Sequence, residues 1–386
     1  MREYIYKKRK WLRLVKVMDA LGETLIRPLL HQPGSLPQPE AVKKILVMKL
    51  DHAGDLLLST PSLRLLRKLF VNARITLVVG PWGKELMDGC PYIDHLIVYL
   101  PDWLKQDGDK KINGPRTWKL IRFLRKERYD LFFELRGDFI LIALGFAGKI
   151  PCRIGFGVAG GGWLLTHEAP LEREKHQTEI MLSPVTRFFP PPFTPDFTPD
   201  LFLRPAERRW ARQWLEQKET GKPLIAIHTG AGYPSKRWGT DRYARLIGRL
   251  IRETGVRVLL VGGKGEEQAM QKNLPEGVLS AVGQSGIRQT AALLERCRLF
   301  VGNDSAPAHL AAAVHTQVIV LFSSANSSRR WAPYGKRVTV ISKEKEVSCA
   351  GCERSSCEHM RCMELISVDE VLAAIRKLLS QKIPVQ

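Results

Sequence analysis

Asp304, Ser305 and His309 fall in one short stretch, Gly302-Asn303-Asp304-Ser305-Ala306-Pro307-Ala308-His309. An apolar strand over residues 299–301 runs into this polar turn, and the turn runs into an Ala-rich helix. A helix start offers unpaired backbone N–H groups and a partial positive charge, so it suits a phosphate. Asp304, Ser305 and His309 are residue types that read the hydroxyls and phosphates of a ligand held there. The chemistry implied is the binding of a nucleotide or a sugar phosphate.

Three further turns carry similar potential. His228-Thr229-Gly230-Ala231-Gly232 follows a strand and precedes Ser235-Lys236-Arg237-Trp238. Small residues there let backbone approach a phosphate, and Lys236 or Arg237 offsets its charge; a surface turn with a packed Trp is the plain alternative. Gly262-Gly263-Lys264-Gly265-Glu266 ends the next strand. Its carboxylate suits ribose hydroxyls, or simply an acidic helix start. Leu50-Asp51-His52-Ala53-Gly54-Asp55 ends the first strand. Asp55 there can act as general base on a hydroxyl, or as the N-cap of the following helix.

Other motifs carry less. Gly155-Phe156-Gly157-Val158-Ala159-Gly160 fits G-x-G-x-x-G, but more glycines and Trp163 follow it rather than a helix, so it reads as a flexible loop. Asp107-Gly108-Asp109 resembles a metal-binding D-x-D, but it lies in a Lys-rich polar stretch with no strand before it and reads as a solvated loop. Cys349, Cys352, Cys357 and Cys362 are clustered, with His359 among them. Structural zinc and reduced loop thiols are the two readings of that cluster; Cys90, Cys152 and Cys297 read as ordinary buried thiols.

The elements that must position these turns alternate. Strand candidates are residues 45–50, 74–79, 96–99 and 129–135, then 224–228, 256–261, 278–282, 299–301 and 318–322. Helical patterns lie between them, for example at 242–253 and 289–296, and a capping box at Ser367 and Glu370 opens a final helix. Thr60 and Pro61 are expected to cap and open the helix after the first strand. This alternation predicts an α/β protein of two doubly wound, Rossmann-like domains with ligand in a cleft between them. The divisions expected are a basic helix and linker at 1–40, an N-terminal domain at 41–190 and a Pro-rich hinge at 191–200. A second domain follows at 201–366 with a Cys-rich loop at 349–362, and a terminal helix at 367–386.

The chain has 386 residues, enough for two cores, and carries a net charge of +21. That charge calls for an anionic partner: nucleic acid, an acidic membrane surface or a phosphorylated substrate. With 8% aromatic residues and its densest basic run at the N-terminus, the pattern argues against nucleic acid. Residues 1–16 carry Arg2, Lys7, Lys8, Arg9, Lys10, Arg13 and Lys16, and Trp11, Leu14, Val15, Met18, Leu21, Leu25 and Leu29 recur at helical spacing. A basic amphipathic helix of this kind either lies on a membrane surface or packs on its own domain. No apolar run reaches the roughly 18 residues of a membrane span, and no secretory signal is read, so a cytoplasmic location is expected.

Taken together, these segments resemble the heptosyltransferases of glycosyltransferase family nine, from about Lys44 to the C-terminal helix. The opening strand with Gly54-Asp55, the Ser235-Lys236-Arg237-Trp238 turn, the Gly262–Glu266 turn and the Gly302–Leu310 segment match the family's pieces in order. The resemblance implies a GT-B fold, with acceptor on the N-terminal domain and nucleotide sugar on the C-terminal one. It implies an inverting, metal-independent transfer that needs no cofactor, from ADP-heptose to an anionic, lipid-linked lipopolysaccharide inner core. Asp55 is then the base, with Gly54 and Arg136 on the acceptor side. Thr229, Gly230, Lys236, Glu266, Asp304, Ser305, Ala306 and His309 are then the donor residues: Lys236 and the helix start at Ser305 and Ala306 for the diphosphate charge, Glu266 for ribose, Asp304 for sugar hydroxyls and His309 behind the diphosphate turn. The chain departs where the family usually has Thr-Gly and this sequence has Ser305-Ala306, which adds a methyl close to the donor. The basic helix is an addition that suits work at the inner leaflet, as a peripheral protein of the inner membrane. A family relative with a different nucleotide sugar, and a non-catalytic nucleotide-sugar or nucleic-acid binder, are the alternatives.

Overall fold

The computed structural model describes residues 4, 9–30, 35–100, 114–218, 221–266, 275 and 277–381. Asp107 and Asp109 lie outside the described residues, as do Arg2, Lys7 and Lys8. The chain divides into two compact units, Met1–Phe197 and Thr198–Gln386.

Each unit is built on one six-stranded parallel sheet. In the first, β1 is Lys44–Met48, β2 Arg74–Val79, β3 His95–Val98, β4 Leu131–Glu134, β5 Cys152–Gly155 and β6 His167–Glu168. Their order is β3-β2-β1-β4-β5-β6. In the second, β7 is Leu224–His228, β8 Arg257–Leu260, β9 Leu279–Ser280, β10 Leu299–Asn303, β11 Gln317–Phe322 and β12 Val338–Ser342. Their order is β12-β11-β10-β7-β8-β9, the same winding read from the other edge. Central strands are buried on both faces, as in β1, β4, β7 and β10. This is why they read as unbroken apolar runs rather than alternating ones.

Such sheets reverse their strand order at one point, and ligands bind beyond the carboxyl ends of the strands there. The reversals fall between β1 and β4 and between β7 and β10. Met48 pairs with Glu134 at the first. Gly302 pairs with His228 at the second. The helix Thr240–Thr254 packs Tyr243, Leu246, Ile247 and Leu250 onto the second sheet, and the terminal helix Val368–Ser380 adds Val371, Leu372 and Ile375 to the same core. Ser367 accepts from the Glu370 backbone N–H, so the terminal helix opens with the expected cap.

The structure corrects several readings of the sequence. The residue capping the Thr60–Leu69 helix is Ser59, one position earlier than expected, with Pro61 in the first turn. The Gly155–Gly160 stretch is not an open loop: Gly155 closes β5, and residues 156–162 are buried. The basic helix, Arg9–Leu21, packs one face on its own unit. Val15 and Asp19 are buried, and Asp19 accepts from the Gly161 backbone N–H at 2.8 Å. Leu14, Val17, Met18 and Leu21 of this helix, and Leu25 and Leu29 of the helical turns after it, are exposed.

Candidate functional site

In the second unit the turns after β7, β8 and β10 converge through side chains. His228 ends β7 and is only 3% exposed. Its Nε2 lies 3.2 Å from Glu266 Oε2, and its Nδ1 lies 3.1 Å from Ser305 Oγ. Glu266 also accepts from the Gly263 backbone N–H at 2.8 Å. The His228 hydrogen bond holds the Glu266 carboxyl below the ordinary carboxylate range, against the opposing effect of burial. Gly230 is required for this contact: a Cβ there would stand 2.3 Å from Glu266 Oε1.

Asp304 is 5% exposed, and Lys236 Nζ meets its Oδ2 at 2.5 Å. His309 Nε2 lies 4.0 Å from its other oxygen. Removing one partner of an ion pair this buried leaves the other without its compensating charge. Ser305 precedes the Ala306–Ala313 helix but makes no side-chain cap bond. Its hydroxyl instead lies between His228 and the Asn303 carbonyl, 3.1 Å from each. In the first turn Pro307 has no N–H and the Ala308 N–H donates to the Ser305 carbonyl at 3.0 Å, so the Ala306 N–H and the helix dipole are what this helix start offers a diphosphate.

Asn303 ties these turns together, and its role was not read from the sequence. Fully buried, it accepts from the Trp238 N–H and the Tyr243 hydroxyl, and donates to the Thr229 and Gly230 carbonyls. His228 was likewise read as part of a turn rather than as the residue that orients Glu266. The only signal for either was a polar residue ending an apolar strand.

In the first unit, Asp55 falls in the first turn of a short helix, Ala53–Leu57, whose N-cap is His52. This removes the N-cap alternative for Asp55 and leaves it half-buried, with Gly54 before it. Asp51 is clamped by Lys49 at 2.6 Å and Arg136 at 3.4 Å. Burial works to raise the Asp51 pKa, but Lys49 and Arg136 outweigh it and hold the carboxyl below its usual range. Arg136 also donates to the Leu50 carbonyl at 3.2 Å. Glu134, fully buried at the end of β4, accepts from the backbone N–H groups of Arg136 and Gly137. Burial, and then the Asp138 carboxylate, pushes its pKa up to about 8.

The structure thus brings Thr229, Gly230, Lys236, Glu266, Asp304, Ser305, Ala306 and His309 together in one unit. It places Gly54, Asp55 and Arg136 beside a reversal point in the other. It does not make a metal site of Cys349, Cys352, Cys357 and Cys362. All four are free thiols at half-exposed or exposed positions. Among the described residues no three His, Cys, Asp or Glu side chains are grouped to hold a metal ion, so the zinc reading lacks a ligand set. The Cys-containing loop has another job: the Arg354 carbonyl accepts from the Ser235 hydroxyl and the Ser355 carbonyl from the Ser235 backbone N–H, beside Lys236.

Residues 117–361 match the family described as glycosyltransferase family 9 (heptosyltransferase). The chain belongs to glycosyltransferase family 9. An Escherichia coli protein named lipopolysaccharide heptosyltransferase 3 is 26% identical over 351 residues, spanning 86% of this family-9 chain and 97% of that protein. A solved family-9 glycosyltransferase from Veillonella parvula matches with a TM-score of 0.74 at 21% identity, over 90% of this chain and 99% of that one. The E. coli ADP-heptose lipopolysaccharide heptosyltransferase II gives 0.70 at 22% identity, over 87% and 98%. These likenesses establish the GT-B fold of two Rossmann-like units. This family-9 member is therefore a glycosyltransferase. Among its described residues no helix is long and apolar enough to cross a membrane.

Proposed function

We propose that this glycosyltransferase moves a heptose from ADP-heptose to a lipopolysaccharide inner-core acceptor, with inversion and without a metal. Asp55 takes the proton from the acceptor hydroxyl. The freed oxygen bonds to the anomeric carbon, and the bond from that carbon to the diphosphate breaks, its electron pair leaving with ADP. Lys236 and the helix start at Ser305 and Ala306 offset the charge that grows on the diphosphate, a stabilisation that acts mainly in the transition state. Glu266, oriented by His228, takes the ribose hydroxyls. Asp304 takes hydroxyls of the sugar, and His309 backs the diphosphate turn.

The observation that carries this reading is the Lys236–Asp304 pair at 2.5 Å beside the Ala306–Ala313 helix start, with Glu266 held by His228 across the same turns. It supplies a cation, the positive end of a helix and two hydroxyl acceptors, the set a sugar nucleotide asks for. The relatives' names direct the choice to ADP-heptose and lipopolysaccharide. The methyl of Ala306 is what would favour another donor. A thermal-shift screen with ADP-, UDP-, GDP- and CDP-sugars tests the reading, with EDTA present throughout. Stabilisation by ADP-heptose alone is expected; a shift with a UDP-sugar instead would overturn the donor.

The enzyme is further proposed to work at the inner leaflet as a peripheral protein. The exposed Leu14, Val17, Met18, Leu21 and Leu25 support this, as do the exposed Lys10, Arg13 and Lys16 on the same helical segment.

A further inference from the structure

The short helix that carries Asp55 packs beside the Pro81–Met87 helix, which follows β2. Gly83 permits the approach: a Cβ there would stand 2.7 Å from Leu56 Cδ2. Leu86 and Met87 of the second helix, and Leu56 and Leu57 of the first, are buried. Trp82 is not part of that core. It is half-exposed and lies over Gly80, where a Cβ would come within 2.5 Å of the indole. Its indole N–H donates to the Asp51 carbonyl. Its ring centroid lies 5.5 Å from that of His52, at an interplanar angle of 31°. His52 is exposed and caps the helix in which Asp55 is the third residue.

Two aromatic rings are therefore fixed side by side, open to solvent, one helical turn before the candidate base. The turn that accepts the indole N–H also carries one carboxylate, Asp51, paired with the Arg136 guanidinium at 3.4 Å. A pyranose ring has a face of C–H groups and a rim of hydroxyls. Such a ring stacks on an aromatic face while its rim bonds to polar groups nearby, which is how a mostly apolar site fixes orientation. We propose that Trp82 and His52 form the stacking platform for the acceptor's sugar ring, setting which hydroxyl meets Asp55. This rests on the reading that the first unit binds the acceptor saccharide. Trp82 supplies the larger face, and its N–H bond to Asp51 keeps that face level with the turn. His52 extends the platform toward the base.

The test is calorimetric titration of a deacylated, heptose-free inner-core saccharide into the full chain without donor. Wild type, Trp82→Ala, Trp82→Phe and His52→Ala are compared. Trp82→Ala is expected to weaken saccharide binding about tenfold, the scale of one lost aromatic stacking contact. Trp82→Phe keeps a ring but loses the bond to Asp51, so it should stay within about twofold of wild type. His52→Ala should fall between them, and ADP binding should be unchanged in all. If the wild type binds the saccharide and Trp82→Ala binds it equally well, the platform is overturned and the proposed function stands. If Trp82→Phe is as weak as Trp82→Ala, Trp82 is a strut for the Asp51 turn and the platform is overturned again. If the wild type does not bind the saccharide, the acceptor reading falls and takes the platform with it.

Discussion

Asp304 is held at 2.5 Å by Lys236 and faced at 4.0 Å by His309, with almost no solvent around it. Removing one partner of such a pair strands the other. Lys236→Met should therefore lower stability by about 3 kcal/mol as well as suppress transfer. Chemical denaturation would check the first part, and an unchanged midpoint would mean that Asp304 finds other partners. Glu134 carries a different signature. Its folded pKa of about 8 lies above the ordinary value of 4.5, so the folded state holds the proton more tightly. Its contribution is complete below about pH 4.5 and is lost as pH rises toward 8. Glu134→Gln should flatten the decline of melting temperature across that window; parallel curves for the two proteins would contradict it. Asp304 is legible in the sequence as a carboxylate in the polar turn between an apolar strand and an Ala-rich helix, and Lys236 as a cation just after a turn of small residues. Asn303 and His228 were not read as organisers. Asn303 bonds to Thr229 and His228 contacts Ser305, in each case more than 70 positions away, and no local pattern reports such a pairing.

At the scale of elements, long apolar runs were the easy part. β2 and β7 coincide with the stretches the sequence marked, because central parallel strands are apolar on both faces. β5, β6 and β12 were missed. β5 has four residues, Cys152-Arg153-Ile154-Gly155, and hides a buried arginine whose side chain bonds to the Leu164 carbonyl. β6 has two residues, and β12 is an edge strand with little burial, so neither leaves a period to read. The turn after β7 depends on one small residue. Gly230→Ala puts a methyl against Glu266, whose side chain is 34% exposed and can swing outward. The expected result is an unchanged fold with ADP affinity down about tenfold, the cost of one charged hydrogen bond; calorimetry would show otherwise if affinity held. The basic helix makes a claim of its own. Leu21 and Leu25 are 51% and 61% exposed, so Leu21→Glu with Leu25→Glu should not disturb the core. Flotation with anionic phospholipid vesicles should recover the wild type and lose most of the double variant. Equal flotation of both would leave the apolar row without a membrane role.

The whole molecule repeats one plan twice: a six-stranded parallel sheet with its order reversed between the first and fourth strands of each unit. The polar residues singled out from the sequence gather at those two reversals, since strand order decides which turns become neighbours. The sequence could place each turn on a strand end, but not say which turns meet, because that follows from pairings across the sheet. Nor did the spacing of Cys349, Cys352, Cys357 and Cys362 decide their use: the loop they occupy braces Ser235 through its backbone instead. The account gives the second unit the donor and the first unit the base, so binding and chemistry should separate under a single substitution. The most direct measurement is the rate of heptose transfer by Asp55→Asn at saturating ADP-heptose, set beside its calorimetric affinity for that donor. The account predicts a rate lower by about 10²- to 10⁴-fold, the usual worth of a general base, with donor affinity unchanged. Transfer at the wild-type rate would remove Asp55 as the base and contradict the account.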